Sequence, residues 1–285
     1  MIVPVDYILI FGADEGNLEI VQDQLRTGAD PNYVIRQSTD RRLPLVPNHL
    51  EEFFPLFAAV AGNDDSGDIV EALLAAGANV DQTLDDGTST VSEAALRNRI
   101  GCVRVLIKAG ANVNLADTAG IAPLYSVAQT ANLQVATLLL AAGADPNQRS
   151  HKGNTPIMAA ISTGHPNMLR LLLNSGAIET AELPRRVPDQ WTPLYIASLN
   201  NQVECVKILL QEGNVDVNKR VQPGDKTALV VAAVNGYLAL GRILLDAGAD
   251  ATFVNATGIT ALSAAIECGQ PAFAAMLRAH IAMRP

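Results

Sequence analysis

The sequence predicts an all-α solenoid of about eight helix-turn-helix units joined by β-hairpin fingers. Three observations lead there. Glycine recurs at Gly77, Gly110, Gly143 and Gly176 in steps of 33 residues, the repeat length of a two-helix unit rather than of a single globular core. One period has a readable interior: Gly110-Ala-Asn-Val-Asn114 leads through Asp117-Thr-Ala-Gly120 to Ala122-Pro-Leu-Tyr125, then through two apolar helical patterns to Leu138-Leu-Leu-Ala-Ala-Gly143. Hydrophobic residues make up 49% of the chain but aromatic residues only 4%, so the core is built from Ala, Leu, Ile and Val, as thin layers between stacked helices require.

Each element of the period has a physical reason. Thr155 and Thr192 can cap the amides that open the first helix of a unit, and Pro156 and Pro193 follow where a helix tolerates a missing N–H. The recurring glycine supplies the left-handed residue that ends the second helix. Small pairs on the first helix, Ala94-Ala95, Ala159-Ala160, Ala232-Ala233 and Ala264-Ala265, let neighbouring helices approach closely. The pairs Leu106-Ile107, Leu172-Leu173 and Leu209-Leu210 on the second helix are expected to form the continuous core. The segments Thr155-Pro-Ile-Met158, Thr192-Pro-Leu-Tyr195, Gly28-Ala-Asp-Pro-Asn32 and Gly143-Ala-Asp-Pro-Asn147 resemble the ankyrin-repeat pattern. Phe57, Ser92, Tyr125 and Met158 depart from it, standing where that family usually has a histidine that bonds neighbouring units, so packing is expected to replace those bonds.

Residues 1–285 read as one repeat domain with approximate units 1–32, 33–81, 82–114, 115–147, 148–180, 181–218, 219–252 and 253–285. The first is a polar N-terminal cap carrying Asp14, Glu15, Glu19, Gln22 and Asp23. The glycine step from Gly28 to Gly77 is 49 residues, which makes room for a long finger over 33–51 with Arg36, Arg41 and Arg42, and for a lengthened turn at 63–68. The sixth unit opens after a longer finger, 180–189, and closes at Gly213; the seventh closes at Gly248. The last begins at Gly258-Ile-Thr-Ala-Leu262, and its Ala-rich second helix is expected to serve as a modest cap carrying Arg278, His280 and Arg284.

Composition narrows the function. A net charge of −9 argues against a general nucleic-acid binder, which needs clustered Lys and Arg. Cys102, Cys205 and Cys268 are too few and too scattered for a disulfide framework or a zinc site; Cys102 and Cys205 share a repeat position held elsewhere by Ile20, Ile69 and Met168, and read as small core residues. A cytoplasmic, reducing setting is the expectation, with export as an effector compatible with it. The N-terminus carries Asp6 and lacks a basic stretch, so no signal peptide is expected, and the apolar reach 228–245 contains Asn235 and Arg242, so no membrane partner is expected either.

No catalytic, cofactor or metal site is legible. The four histidines, His49, His151, His165 and His280, are dispersed; Leu74 stands where the turn at 63–68 would need a bidentate Glu to be a calcium loop; Asn255-Ala-Thr257 reads as a chance glycosylation triplet. An enzyme would require a site built from the long finger with His49, Glu51 and Glu52.

What remains is surface. The resemblance implies a monomeric protein-binding module without catalysis of its own, or an adaptor or regulatory subunit, such as a microbial host-directed effector, whose partner supplies the chemistry. Its partner would lie in a concave groove and on the finger tips. By repeat phase the groove-facing residues are Leu96 and Arg97, Gln129 and Thr130, Ser162 and Thr163, Leu199 and Asn200, Val234 and Asn235, and Glu267 and Cys268. Half of the Lys and Arg residues fall in fingers, and Arg149, Lys152, Arg185, Arg186, Lys219, Arg220 and Lys226 form an expected basic ridge for an acidic segment of the partner. Trp191 either anchors that partner at the ridge margin or packs against a neighbouring finger, as Ile121 and Ile259 would at the same phase.

If stability is a sum of repeat and interface terms, the interior repeats open last. Hydrogen exchange should therefore find 136–140 better protected than 20–25; the reverse order would contradict the register.

Overall fold

A computed structural model describes residues 4–36, 52–62, 65, 67–177 and 191–283. Two compact bodies divide the chain, Met1–His151 and Lys152–Pro285. The tip of the long finger with Arg41, Arg42, His49 and Glu51 lies outside the described residues, as does the finger carrying Arg185 and Arg186.

In the N-terminal body the order is α1 Val5–Asp14, α2 Leu18–Arg26, β1 Ile35–Arg36, β2 Glu52–Phe53, α3 Pro55–Ala61, α4 Asp68–Ala75, α5 Thr90–Leu96, α6 Ile100–Lys108, α7 Pro123–Thr130 and α8 Leu133–Ala141. The C-terminal body holds α9 Pro156–Ser162, α10 Pro166–Asn174, α11 Pro193–Leu199, α12 Val203–Glu212, α13 Ala228–Asn235, α14 Leu238–Asp246, α15 Ala261–Glu267 and α16 Pro271–Ala282. Within each body the odd-numbered helices pack in one layer and the even-numbered in a second, each pair forming one repeat. This is the all-α repeat architecture that the glycine period predicts.

Local chemistry sets the helix starts. The hydroxyls of Ser89, Thr155, Thr192, Thr227 and Thr260 accept from the amides of Ser92, Met158, Tyr195, Val230 and Ser263 at 3.3, 3.5, 3.2, 3.4 and 3.0 Å. Thr260 and Ser263 do so reciprocally. Proline occupies the first position of α3, α7, α9 and α11. Beyond the second helices, Gly28, Gly77, Gly110, Gly143, Gly176 and Gly248 all hold φ between 86° and 94°. A Cβ at any of them would meet nothing within 4 Å, so backbone conformation rather than crowding demands glycine.

The sixth repeat departs from its expected end. Gly213 is right-handed, with φ −86°, and the left-handed residue is Asn214, with φ 49°. One extra residue in Gly213-Asn-Val-Asp-Val-Asn218 lets α12 run on, and asparagine tolerates the left-handed region better than other side-chain-bearing residues.

All eight alanines of the four small pairs are buried. Of the second-helix pairs, only Leu106, Leu172 and Leu209 are fully enclosed, while Ile107, Leu173 and Leu210 are half-buried. The outer helix has one layer inside it and solvent outside, so it encloses a narrower stripe than the paired reading expects. At the positions lacking histidine, Phe57 is buried edge-on against Phe53 and Phe54, with ring centroids 5.7 Å apart in both pairs, while Ser92, Tyr125 and Met158 are half-buried.

The fingers are tighter than strand hairpins. Among the described residues the one ladder pairs Ile35 with Phe53 and Arg36 with Glu52, at the base of the long finger. Elsewhere single bridges join Thr83 to Ser89 and Val221 to Lys226. Side chains hold the rest: Asp117 Oδ1 accepts from the amides of Ala119 and Ile121 at 2.8 and 2.7 Å, and Asn255 Oδ1 does the same for Thr257 and Ile259. The Asn255 triplet thus has a structural use, closing its finger. At the lengthened inter-helix turn, Asp65 Oδ1 accepts from the Gly101 amide at 3.1 Å.

Asn114 joins successive repeats: its Nδ2 donates to the Gly143 carbonyl at 2.9 Å and its Oδ1 accepts from the Asp145 amide at 2.8 Å. Losing both bonds in Asn114→Ala should cost about 1–3 kcal/mol. Leu139→Ala, which empties a fully buried site, should cost about 2–5 kcal/mol. Urea unfolding checks both, and a cost for Asn114→Ala within error of zero would remove this residue from the coupling.

Candidate functional site

In the C-terminal body the inner helices α9, α11, α13 and α15 start from hydroxyl caps in the same phase, so their last turns present equivalent positions side by side. Ser162, Thr163, Asn200, Val234, Asn235, Glu267 and Cys268 are exposed there, and Leu199 is half-buried. Several polar groups on this face are already engaged. Ser162 Oγ and Thr163 Oγ1 each donate to the Ala159 carbonyl at 2.9 Å, and Asn235 Nδ2 donates to the Val231 carbonyl at 3.0 Å. The α9 end is therefore a weak source of hydrogen-bond donors.

Between the last turns of α11, α13 and α15 and the fingers opposite them lies an open groove of about 340 Å³. Leu199, Val230, Val231 and Val234 line its helical side, while Ile259, Thr257 and Lys226 line its finger side. Glu267, Cys268 and Asn235 stand at the α13–α15 end. The Val221–Lys226 bridge fixes the finger wall, with reciprocal amide–carbonyl bonds of 2.9 and 3.0 Å.

Trp191 is half-buried and packs against Tyr195, with centroids 5.5 Å apart, in a cluster with Val221, Val231 and Leu199. Of the two roles open to it in the sequence, packing is the one observed.

The basic residues are more diverse than a solvated ridge. Lys152 and Lys226 are exposed, Lys219 is half-buried, and the exposed Arg220 places its guanidinium 5.8 Å from the Phe253 ring centroid. Arg149 belongs to the N-terminal body and is half-buried rather than exposed.

Sequence phase found Leu199, Val234, Asn235, Glu267 and Cys268, but missed Tyr195, Val230, Val231, Thr257 and Ile259. Val230 and Val231 sit one turn earlier on α13, where a buried residue and a groove wall look alike in sequence. For Ile259 the usable signal was its shared phase with Trp191.

The arrangement offers shape and a largely apolar surface. Among the described residues no group of His, Cys, Asp and Glu could hold a metal ion, and no helix is long and apolar enough to cross a membrane. Cys102 and Cys205 are buried, and burial followed by the Glu204 carboxylate pushes the Cys205 thiol up to about 11 from 9.0. Cys268 is exposed in the groove.

The family described as "Ankyrin repeats (3 copies)" matches residues 9–117, 56–150 and 124–221. Two curated relatives, the "Ankyrin repeat and KH domain-containing protein mask-1" of Caenorhabditis elegans and its CBG24701 counterpart of Caenorhabditis briggsae, are each 40% identical over 88 residues. Each match spans 30% of this chain and 3% of the relative's length. The ankyrin repeat domain of human ASB11 has a similar fold, with TM-score 0.64 and 28% identity, over 78% of this chain and 97% of that one.

The cysteine contrast is testable. A maleimide at mildly alkaline pH should modify Cys268 alone in the folded protein and all three cysteines after denaturation. Because the Cys205 pKa is raised in the folded state, its contribution to stability is complete below pH 9.0 and is lost as pH rises through about 11. Denaturant midpoints across that window should fall less in Cys205→Ala than in the wild type.

Proposed function

The chain belongs to the ankyrin-repeat family, whose repeats generally serve as protein–protein interaction modules and typically carry no catalysis, and from that membership we propose that it holds a partner protein in the groove of its C-terminal body. The observation that carries this reading is the groove itself. It is about 340 Å³, apolar along α11 and α13, and bordered by exposed polar positions that change in character from repeat to repeat while the packing positions stay constant. On this reading 1–285 acts as a single repeat domain and a monomer, and any chemistry belongs to the partner, for which the chain is an adaptor or regulatory subunit.

The partner's approach is electrostatic in part. Lys152, Lys219, Arg220 and Lys226, together with Arg185 and Arg186 of the preceding finger, draw acidic residues of the partner toward the finger side; Leu199, Asn200, Val234 and Asn235 then hold it, with Ser162 and Thr163 at the margin. Trp191 contributes through Tyr195 and Leu199 rather than by direct insertion.

Affinity capture from lysate with the wild-type chain and with Val234→Asp tests the proposal. Val234 is 39% exposed at the end of α13, so the charge should leave the melting temperature within a few degrees while abolishing stoichiometric capture of the partner. The triple reversal Arg185→Glu, Arg186→Glu, Arg220→Glu should slow association at low salt and much less at high salt. Capture that survives Val234→Asp would move the binding surface away from this groove.

A further inference from the structure

The groove carries two opposite charges that do not neutralise each other. Lys226 projects from the finger wall and Glu267 ends α15, and both line the same cavity. Both are exposed, and neither belongs to an ion pair among the described residues. The same cavity has an aliphatic wall from Val230, Val231 and Val234 on α13 and Ile259 on the facing finger. A uniformly acidic occupant would meet Lys226 favourably and Glu267 unfavourably; a uniformly basic one would meet the reverse. Only an occupant whose charge changes sign along its length satisfies both ends.

Resting on the groove-binding reading above, we propose that the occupant is an extended segment of a partner protein in which one aliphatic side chain lies between an acidic and a basic residue, the acid facing Lys226 and the base facing Glu267. The aliphatic side chain fills the valine- and isoleucine-lined space and supplies most of the affinity. The flanking charges fix direction and register, because turning the segment end for end would place like charges together at both ends. Asn235, whose Nδ2 is committed to the Val231 carbonyl, leaves its Oδ1 to accept from the bound backbone.

A random-sequence peptide display library selected on the full chain tests this, with Val234→Asp as the counter-selection. The expected result is enrichment of peptides carrying an acid–aliphatic–base order or its mirror, one of the two predominating. Measured with a synthetic peptide of the enriched sequence, the protein variants Lys226→Glu and Glu267→Lys should each weaken binding about five- to tenfold, the loss set by replacing a rim attraction with a repulsion. The double exchange, Lys226→Glu with Glu267→Lys, should transfer preference to the peptide with its two charges swapped. Enrichment of peptides of uniform charge, or indifference of the selected peptide to both reversals, overturns the dipolar assignment while leaving groove binding intact. No enrichment over Val234→Asp overturns the groove reading, and this inference with it.

Discussion

The fold depends on one recurring contact, a side-chain amide or carboxylate of one repeat bonded to the backbone of the next. In the N-terminal body Asn32 accepts from the Asn79 amide at 2.7 Å, Asp81 from the Asn112 amide at 2.8 Å and Asn114 from the Asp145 amide at 2.8 Å, and within the first repeat Asp6 accepts in the same way from the Asp30 amide at 2.7 Å. In the C-terminal body Asn218 repeats it with the Asp250 amide at 2.8 Å. Asparagine does more than aspartate here, since its Nδ2 also donates to the carbonyl of the glycine that ends the next outer helix, as in Asn32 to Gly77, Asn114 to Gly143 and Asn218 to Gly248. The left-handed glycine and the asparagine are thus two halves of one device. The first turns the chain out of its helix, and the second, from the preceding repeat, bonds the amide and carbonyl that this turn presents.

That device explains why the repeats stack with so little aromatic or ionic help. Inner helices such as α5, α9, α13 and α15 bury a pair of alanines, Ala94-Ala95 and Ala232-Ala233 among them, and so approach their neighbours closely. The finger bonds then fix how far each repeat is displaced from the last. Ion pairs between outer helices, such as Arg170 with Glu212 at 3.1 Å, are exposed and add little. The extra residue after Gly213 shows what the device tolerates: the finger keeps its bonds because Asn214 takes over the left-handed position, and Asp216 and Asn218 fall back into phase.

Period, capping residues and glycine conformation were legible in the sequence because each depends on local chain geometry. Thr155, Thr192 and Gly143 act through neighbours a few residues away. The groove was only half legible, for a physical reason. Val234 and Glu267 are exposed at helix ends, and phase alone places them. Val230, Val231 and Ile259 become a cavity wall only when a finger and two helices meet, and the same residue types would serve equally well as ordinary core. Arg149 and Lys219 are half-buried, although charge reads in a sequence as a sign of full solvation, and one terminal nitrogen of the Arg149 guanidinium is itself buried.

A repeat scaffold separates stability from recognition, and the three inner helices of the groove show how completely. Leu199, Val234 and Glu267 occupy the same phase of α11, α13 and α15, after hydroxyl caps and small buried pairs that barely differ. Asn200, Asn235 and Cys268 do the same one residue along. Packing therefore places no demand on these positions beyond a side chain at the end of a short helix. Their variation from aliphatic to anionic, and from amide to thiol, costs the fold little and changes the groove greatly. In a globular core the same exchange, valine for glutamate, would bury an unpaired charge. Here it writes a gradient of character along a surface whose shape the asparagine bonds and left-handed glycines have already fixed.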